Sequence, residues 1–198
     1  MRSGTPPRAR SALVSAVALV LLAGAVGCDS GDDIEGQEDG SPSGRATDSP
    51  AVSTVTTIEH AEGIDPAHQT KVIDGVAAVI DPWLDEAFLG DFPRTDFSGA
   101  FAAFTKDAAA DAQRDLDILS NAAIADQIDA ATATNRRVRL NVFAPDGHPR
   151  GVTAYFVLDF DTTGDLEQRM RVHGELYLAK DKGEWKVFGY DVDEAVQL

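Results

Sequence analysis

The spacing of apolar residues changes near Asn121, and this change constrains the fold more than any other feature of the sequence. Before Asn121, apolar residues recur at three- and four-residue steps, which is the period of a helix. After it they alternate with other residues, which is the period of a strand. Helices grouped first and strands grouped afterwards predict an α+β domain whose N-terminal helices pack on one face of a strongly curved antiparallel sheet.

The first predicted helix begins at an N-cap. Asp65 can accept the free backbone N–H groups of a first turn, and Pro66 suits the first helical position because its missing N–H has no partner there. An apolar face then runs to a stop near Gly90. Pro82 interrupts this run, so we expect it to kink or divide the helix. The apolar face consists of Val72, Val76, Val79, Ile80, Trp83, Leu84 and Ala87.

Two shorter helices are predicted next. A helix with an aromatic face should start at Thr95 or Asp96, and an alanine-rich helix should run from about Thr105 to about Asn121. The aromatic face consists of Phe97, Phe101 and Phe104.

Four alternating segments predict the strands, and turn sequences separate them. The segments are 137–142, 152–160, 166–178 and 184–190, and the turns are 145–147, 162–164 and 181–183. Adjacent hairpins of this kind form an antiparallel meander. Gly174 and Gly189 lie inside strand patterns, where glycine is typical of bulges or bends.

The only cysteine of the chain, Cys28, stands where an uncharged apolar segment, Ser11–Gly27, ends. Arginines precede this segment, and small residues close it, so residues 1–27 have the features of an export signal. The closing residues resemble the bacterial lipobox, although Ala25 occupies a position where a larger aliphatic residue is more usual. The resemblance implies that Cys28 is lipidated and holds the protein at the outer face of the cytoplasmic membrane.

Two alternatives remain for this N-terminus. The apolar segment could stay uncleaved as a membrane span, although its 17 residues fall short of the roughly 20 that a spanning helix needs. It could also be a secretory signal cut near Ala25. Lipidation and an uncleaved span both place the rest of the chain outside the cell, because the arginines stay inside.

The chain is strongly acidic, with a formal net charge of −16. Removal of residues 1–27 takes away three arginines and no acidic residue, which leaves 14 basic against 33 acidic residues and a net charge of −19. Such a surface repels phosphate backbones, so we expect no nucleic acid partner. Residues 28–53 are rich in Asp, Gly and Ser and predict a disordered tether, followed by one domain over residues 54–198.

One predicted strand carries the polar residues of most interest. Its face carries Arg169, Arg171, His173, Glu175 and Tyr177, and Arg137 and Arg139 could lie on a neighbouring strand. Together they could line a site for an anionic ligand. Ordinary ion pairs on a solvated sheet face are the alternative. Tyr155 and Asp159 share one face of the preceding strand and are among the groups available to an enzyme site. The candidates for ligand-binding residues are therefore Tyr155, Asp159, Arg171 and His173.

Other site chemistries lack their motifs. The four histidines do not have the spacing of a zinc site, and no second cysteine supports one. Glycine-rich phosphate loops, nucleophile elbows and EF-hand loops are also absent from the sequence, so we expect no metal or cofactor. Trp185 is expected in the core, while Phe188 and Tyr190 are expected in the core or in a dimer contact, with a ligand cavity as the alternative.

The order of one long helix, two shorter helices and a bent antiparallel sheet resembles the cone fold of the nuclear-transport-factor-like or SnoaL-like proteins, also called cystatin-like. Residues 87–93, 96–97 and 184–191 are similar to segments of exported actinobacterial lipoproteins. The closing segment, 185–190, is also similar to the last strand of Mce-associated proteins.

The resemblance implies two functions. One is a membrane-tethered binding or assembly module that holds a partner protein, a second copy of itself or a small apolar ligand. The other is a SnoaL-type isomerase, cyclase or hydrolase, in which a cavity carboxylate or His173 acts with a tyrosine donor. The fold alone does not choose between them.

Overall fold

A seven-stranded sheet with helices against one face forms the described part of the protein. The structure is a computed structural model that describes residues 52–198, so the expectations for the export signal, Cys28 and nearly all of the tether lie outside the described residues. The strands are β1 (Val55–His60), β2 (Gly90–Asp91), β3 (Ala130–Phe143), β4 (Gly151–Thr163), β5 (Arg169–Asp181), β6 (Glu184–Val192) and β7 (Val196–Gln197). The α-helices are α1 (Pro66–Phe88), α2 (Lys106–Ala112) and α3 (Leu116–Leu119).

The sheet confirms the predicted α+β class. Its main strands lie in the order β1-β3-β4-β5-β6, and the last four form the expected antiparallel meander. The sequence did not indicate β1, which pairs with β3 in parallel. Only Val55 and Ile58 are large aliphatic residues in this strand, so its alternation is weak, and its partner lies more than 70 residues along the chain.

Helix α1 begins as predicted. The carboxylate of Asp65 accepts a hydrogen bond from the backbone N–H of His68 at 3.0 Å, and Pro66 is the first helical residue. Of the two effects expected of Pro82, a kink or a division, division is wrong, because α1 continues unbroken to Phe88. The apolar face packs against the sheet and supplies enough tertiary contact to carry the helix through the proline. Gly90, with φ of +94°, follows the C-terminus.

The two shorter helices differ from the prediction. The aromatic segment forms a 3₁₀ turn, Ser98–Phe101, and Asp96 accepts a hydrogen bond from the N–H of Ser98 at 2.9 Å. The third predicted helix begins near Thr105 as expected, with Thr105 as the N-cap of α2, but it is divided into α2 and α3. At the division the hydroxyl of Tyr190 donates a hydrogen bond to Asp115 at 2.8 Å. This contact joins distant parts of the chain, so the local sequence pattern does not indicate it.

Gly174 lies where neighbouring strands approach closely, and Gly189 lies beside a register shift of the sheet. A Cβ on Gly174 would come 2.4 Å from the carbonyl oxygen of Asp191, which leaves no room for a side chain. The register between β5 and β6 shifts at Phe188, which lies beside Gly189. Turn 181–183 is a two-residue hairpin connection in which Lys182 and Gly183 have φ of 51° and 95°.

The core lies between the helices and the inner face of the sheet. Trp83 of α1 packs edge-on against Phe156 of β4, with ring centroids 5.0 Å apart. Trp185 is buried as expected, Tyr190 packs near Phe104, and Phe188 is exposed on the other face. The buried apolar residues from Val72 to Val187 form a single cluster, so the described domain contains its own hydrophobic core.

Candidate functional site

The sheet has an inner face under the helices and an open face on the other side. Along β4, Ala154, Phe156 and Leu158 are buried on the inner face, whereas Tyr155 and Val157 point to the open face. Strand register then assembles the polar patch around β4. On β3 the open-face residues next to β4 are Arg137 and Arg139, and on β5 they are Arg169, Arg171, His173 and Glu175.

Asp159 of β4 and Arg171 of β5 form a bidentate ion pair. Arg171 Nε lies 2.6 Å from Asp159 Oδ1, and Arg171 Nη2 lies 2.8 Å from Oδ2. Asn135 donates a third hydrogen bond to Asp159 at 3.1 Å. The hydrogen bonds from Arg171 lower the pKa of Asp159 below its usual range. Asp159 is therefore held as a carboxylate, which suits an ion pair and does not suit a general base that must exchange a proton near neutral pH.

A hollow of about 380 Å³ opens on this face between β1, β3 and β4. Val157 and Tyr155 form one side of it, and Val55 of β1, which is 60% exposed, forms the other. Its other lining residues are Thr57, Arg137, Val138 and Arg139. The walls are thus mainly apolar, with two arginines among them.

The two arginines of this hollow differ in their partners. Arg139 Nη1 lies 3.1 Å from Glu59 Oε1, and its Cζ lies 5.5 Å from the centroid of the Tyr155 ring. Arg137 is exposed, and no carboxylate of residues 52–198 lies within 4.0 Å of its guanidinium. Since Arg169 and Arg171 are also paired, Arg137 is the arginine of this face whose hydrogen-bonding capacity is open to a ligand.

A second depression of about 290 Å³ continues from the first across β4 to β5 and β6. The two share Arg139, Tyr155 and Val157. At the far end His173 Nδ1 lies 3.0 Å from Asp193 Oδ2, and the hydroxyl of Tyr177 donates a hydrogen bond to Glu175 at 3.1 Å. That end also contains Asp191. The open face therefore changes from cationic beside β1 to anionic beside β6.

The sequence-predicted candidates separate into two groups. Tyr155 lines both depressions and His173 lines the second, whereas Asp159 and Arg171 bind each other beside them. Sequence reasoning missed Val55, because β1 was not predicted. It also missed Val157, although an apolar residue between Tyr155 and Asp159 on a polar face was a visible signal.

The described residues contain no group of three or more His, Cys, Asp or Glu side chains that could hold a metal ion. Tyr155, Asp159 and His173, which the enzymatic hypothesis needs, lie on the open face and not in a space between the helices and the sheet.

No helix within residues 52–198 is long and apolar enough to cross a membrane.

Comparisons with known proteins give no assignment. No family model matches the chain, and no curated protein matches it at a significant level.

Proposed function

We propose that the protein is a lipid-anchored binding module outside the cytoplasmic membrane, without catalytic activity, and that it binds its ligand in the open-face hollow between β1, β3 and β4. The observation that carries the proposal is Arg137, whose guanidinium lines an apolar-walled hollow and has no carboxylate partner among residues 52–198. We also propose that the domain has the cone fold. Grouped helices on one face of an irregular, largely antiparallel sheet support that assignment.

The chemistry of the hollow favours a small molecule with an apolar body and one carboxylate. Val55, Val157 and the Tyr155 ring offer apolar contact to the body, since apolar area removed from water stabilises a complex. The planar fork of Arg137 matches the two oxygens of a carboxylate. Arg139 is already held by Glu59, so it supports the wall and leaves the ligand's charge to Arg137.

The proposed location of the protein depends on Cys28 and the segment before it. A lipidated cysteine would fasten the mature chain to the outer leaflet, and the 25 residues from Asp29 to Ser53 would act as a flexible spacer. A flexible chain of this length has a typical end-to-end distance of roughly 25 to 30 Å, which lifts a domain clear of the lipid headgroups. The acidic surface favours the same separation from anionic lipids.

Ligand binding is tested with anilinonaphthalene sulfonate, an amphipathic anion whose fluorescence rises in apolar surroundings. The protein is the chain from residue 28 onward with Cys28→Ser, which retains the whole core cluster. We expect saturable binding that Arg137→Gln weakens about tenfold, which corresponds to about 1.4 kcal/mol. Val157→Asp should abolish the fluorescence increase, because it puts a charge in the apolar wall.

The matched control is Arg150→Gln. Arg150 is also exposed, but it lies before β4 and outside the hollow, so this variant changes the net charge equally. Equal loss of affinity in Arg137→Gln and Arg150→Gln would show that the probe senses net charge, and the proposed site would be rejected.

The anchor is tested separately by expressing wild-type protein and Cys28→Ser in the native host and fractionating the membranes. We expect the wild-type chain in the membrane fraction and the variant mostly outside it. Equal membrane retention of both would reject lipidation as the anchor.

A further inference from the structure

Lysines are few in this chain, and most of them lie at one place. Three of the five lysines, Lys71, Lys180 and Lys186, line a groove between α1 and the hairpin formed by β5 and β6. The groove has a volume of about 470 Å³. It shares no lining residue with the open-face hollow, so a ligand bound in the groove is independent of the proposed function.

The walls of the groove are held in place by the core. Trp185 is buried in its floor, and an added Cβ on Gly75 of α1 would lie only 2.7 Å from the Trp185 ring. Gly75 thus lets the indole pack directly against the backbone of the helix. Lys180 Nζ lies 5.2 Å from the centroid of the Trp185 ring, and Lys186 Nζ lies 3.5 Å from the carbonyl oxygen of Ala102.

These lysines have no carboxylate partner in the described part of the chain. Within residues 52–198, no ion pair shorter than 4.0 Å involves a lysine, although the chain has 33 acidic residues. Glu184 is the one carboxylate among the residues that line the groove, against three ammonium groups. The groove therefore has a local excess of positive charge in an otherwise acidic domain, and this charge can bind an anion.

We propose that this groove binds a phosphate monoester. The phosphate group of a monoester has three acceptor oxygens and a charge near −2, which three separate ammonium groups can satisfy from several directions. A carboxylate is better matched by a guanidinium fork, and the groove has none. The negative charge elsewhere on the domain does not prevent binding, because salt screens it beyond about 8 Å at physiological ionic strength.

The test uses isothermal titration of the same Cys28→Ser chain from residue 28 with sodium pyrophosphate. We expect saturable binding that the double variant Lys71→Gln/Lys186→Gln weakens at least tenfold. The control is Lys106→Gln, because Lys106 is an exposed lysine at the start of α2, outside the groove. It should leave the affinity unchanged.

A second readout locates the ligand. The described residues contain two tryptophans, and Trp83 lies in the core while Trp185 lies in the groove. Pyrophosphate should shift the indole N–H resonance of Trp185 in a ¹H–¹⁵N spectrum and leave that of Trp83 in place. This spectrum also shows that each variant is folded.

The source of the phosphate is distinguished by a parallel experiment with vesicles. Sedimentation with vesicles that contain phosphatidic acid, but not with phosphatidylcholine vesicles, that depends on Lys71 and Lys186 would identify a lipid headgroup. Binding of pyrophosphate alone would identify the phosphate group of a soluble molecule. The proposal is overturned if neither probe binds in a manner that depends on these lysines, or if Lys106→Gln weakens binding as much as the double variant.

Discussion

The arginines of the sheet and the lysines of the groove carry the same charge in the same acidic domain, but they are used differently. Arg139, Arg169 and Arg171 each lie within 3.1 Å of a carboxylate oxygen on the open face. The groove lysines have no such partner among residues 52–198. Paired cations tie strands together, whereas unpaired cations are left for an external anion. Like these lysines, Arg137 has no carboxylate partner among residues 52–198, although it lies on the open face with the paired arginines.

The largest expected effect is a difference in stability between variants of two adjacent residues, Arg136 and Arg137. Arg136 points to the inner face, is 8% exposed, and lies 2.7 Å from Asp85 and 3.4 Å from Asp81 of α1. Arg136→Ala should lower the free energy of unfolding by about 2–3 kcal/mol, because it removes the buried link between α1 and the sheet, while Asp81 keeps its hydrogen bond from Thr54. Arg137→Ala should change it by less than about 0.5 kcal/mol. Urea unfolding measures both, and equal losses would break the comparison.

A smaller effect on stability is expected at the ion pair between Asp159 and Arg171. Asp159→Asn should destabilise the domain by about 1 kcal/mol at neutral pH, since it weakens charge-assisted hydrogen bonds at a partly exposed pair. The pKa of Asp159 is lowered by folding, so its stabilisation is complete above the unfolded pKa of about 3.9 and is lost as pH falls through the lower, folded value.

The pH dependence is checked by urea unfolding of wild type and Asp159→Asn at several pH values. The difference between the two proteins should be constant from pH 7 to about pH 5 and should shrink in more acidic solution. A difference that grows as pH falls would contradict the assignment of Asp159 as a paired carboxylate.

The smallest effect is expected at Arg169, which pairs with Asp161 at 2.8 Å on the solvated part of the open face. Since both side chains are about half exposed, Arg169→Gln should leave the unfolding midpoint unchanged within error. It should also leave binding of anilinonaphthalene sulfonate unchanged. Loss of binding in this variant would show that a paired arginine also contributes to the ligand site.

Local chemistry made much of the fold predictable. Asp65 was recognised as a cap because capping depends on residues three positions away, and the alternation of β3 to β6 reported which face is buried. The inward position of Arg136 was also available, because it lies two residues before Val138 on the same face. That position does not, however, indicate which carboxylates of α1 would meet it.

The remaining features depend on contacts between distant segments. Strand β1 pairs with β3, which lies after all the helices in the sequence. The division after α2 coincides with a hydrogen bond from Tyr190. The open-face hollow needs Val55 of β1, and the groove needs Lys71 of α1 beside Lys186 of β6. The sequence shows the residue types, and only the packing of the elements brings them together.

Side-chain NMR of the arginines and lysines tests the central claim most directly, because it observes paired and unpaired cations in one sample. Anilinonaphthalene sulfonate should shift the Nε–H resonance of Arg137 and leave those of Arg169 and Arg171 in place. Pyrophosphate should shift the ammonium signals of Lys71 and Lys186 and leave Arg137 in place. Shifts of Arg169 or Arg171 with either anion, or the same set of shifts with both anions, would contradict the account.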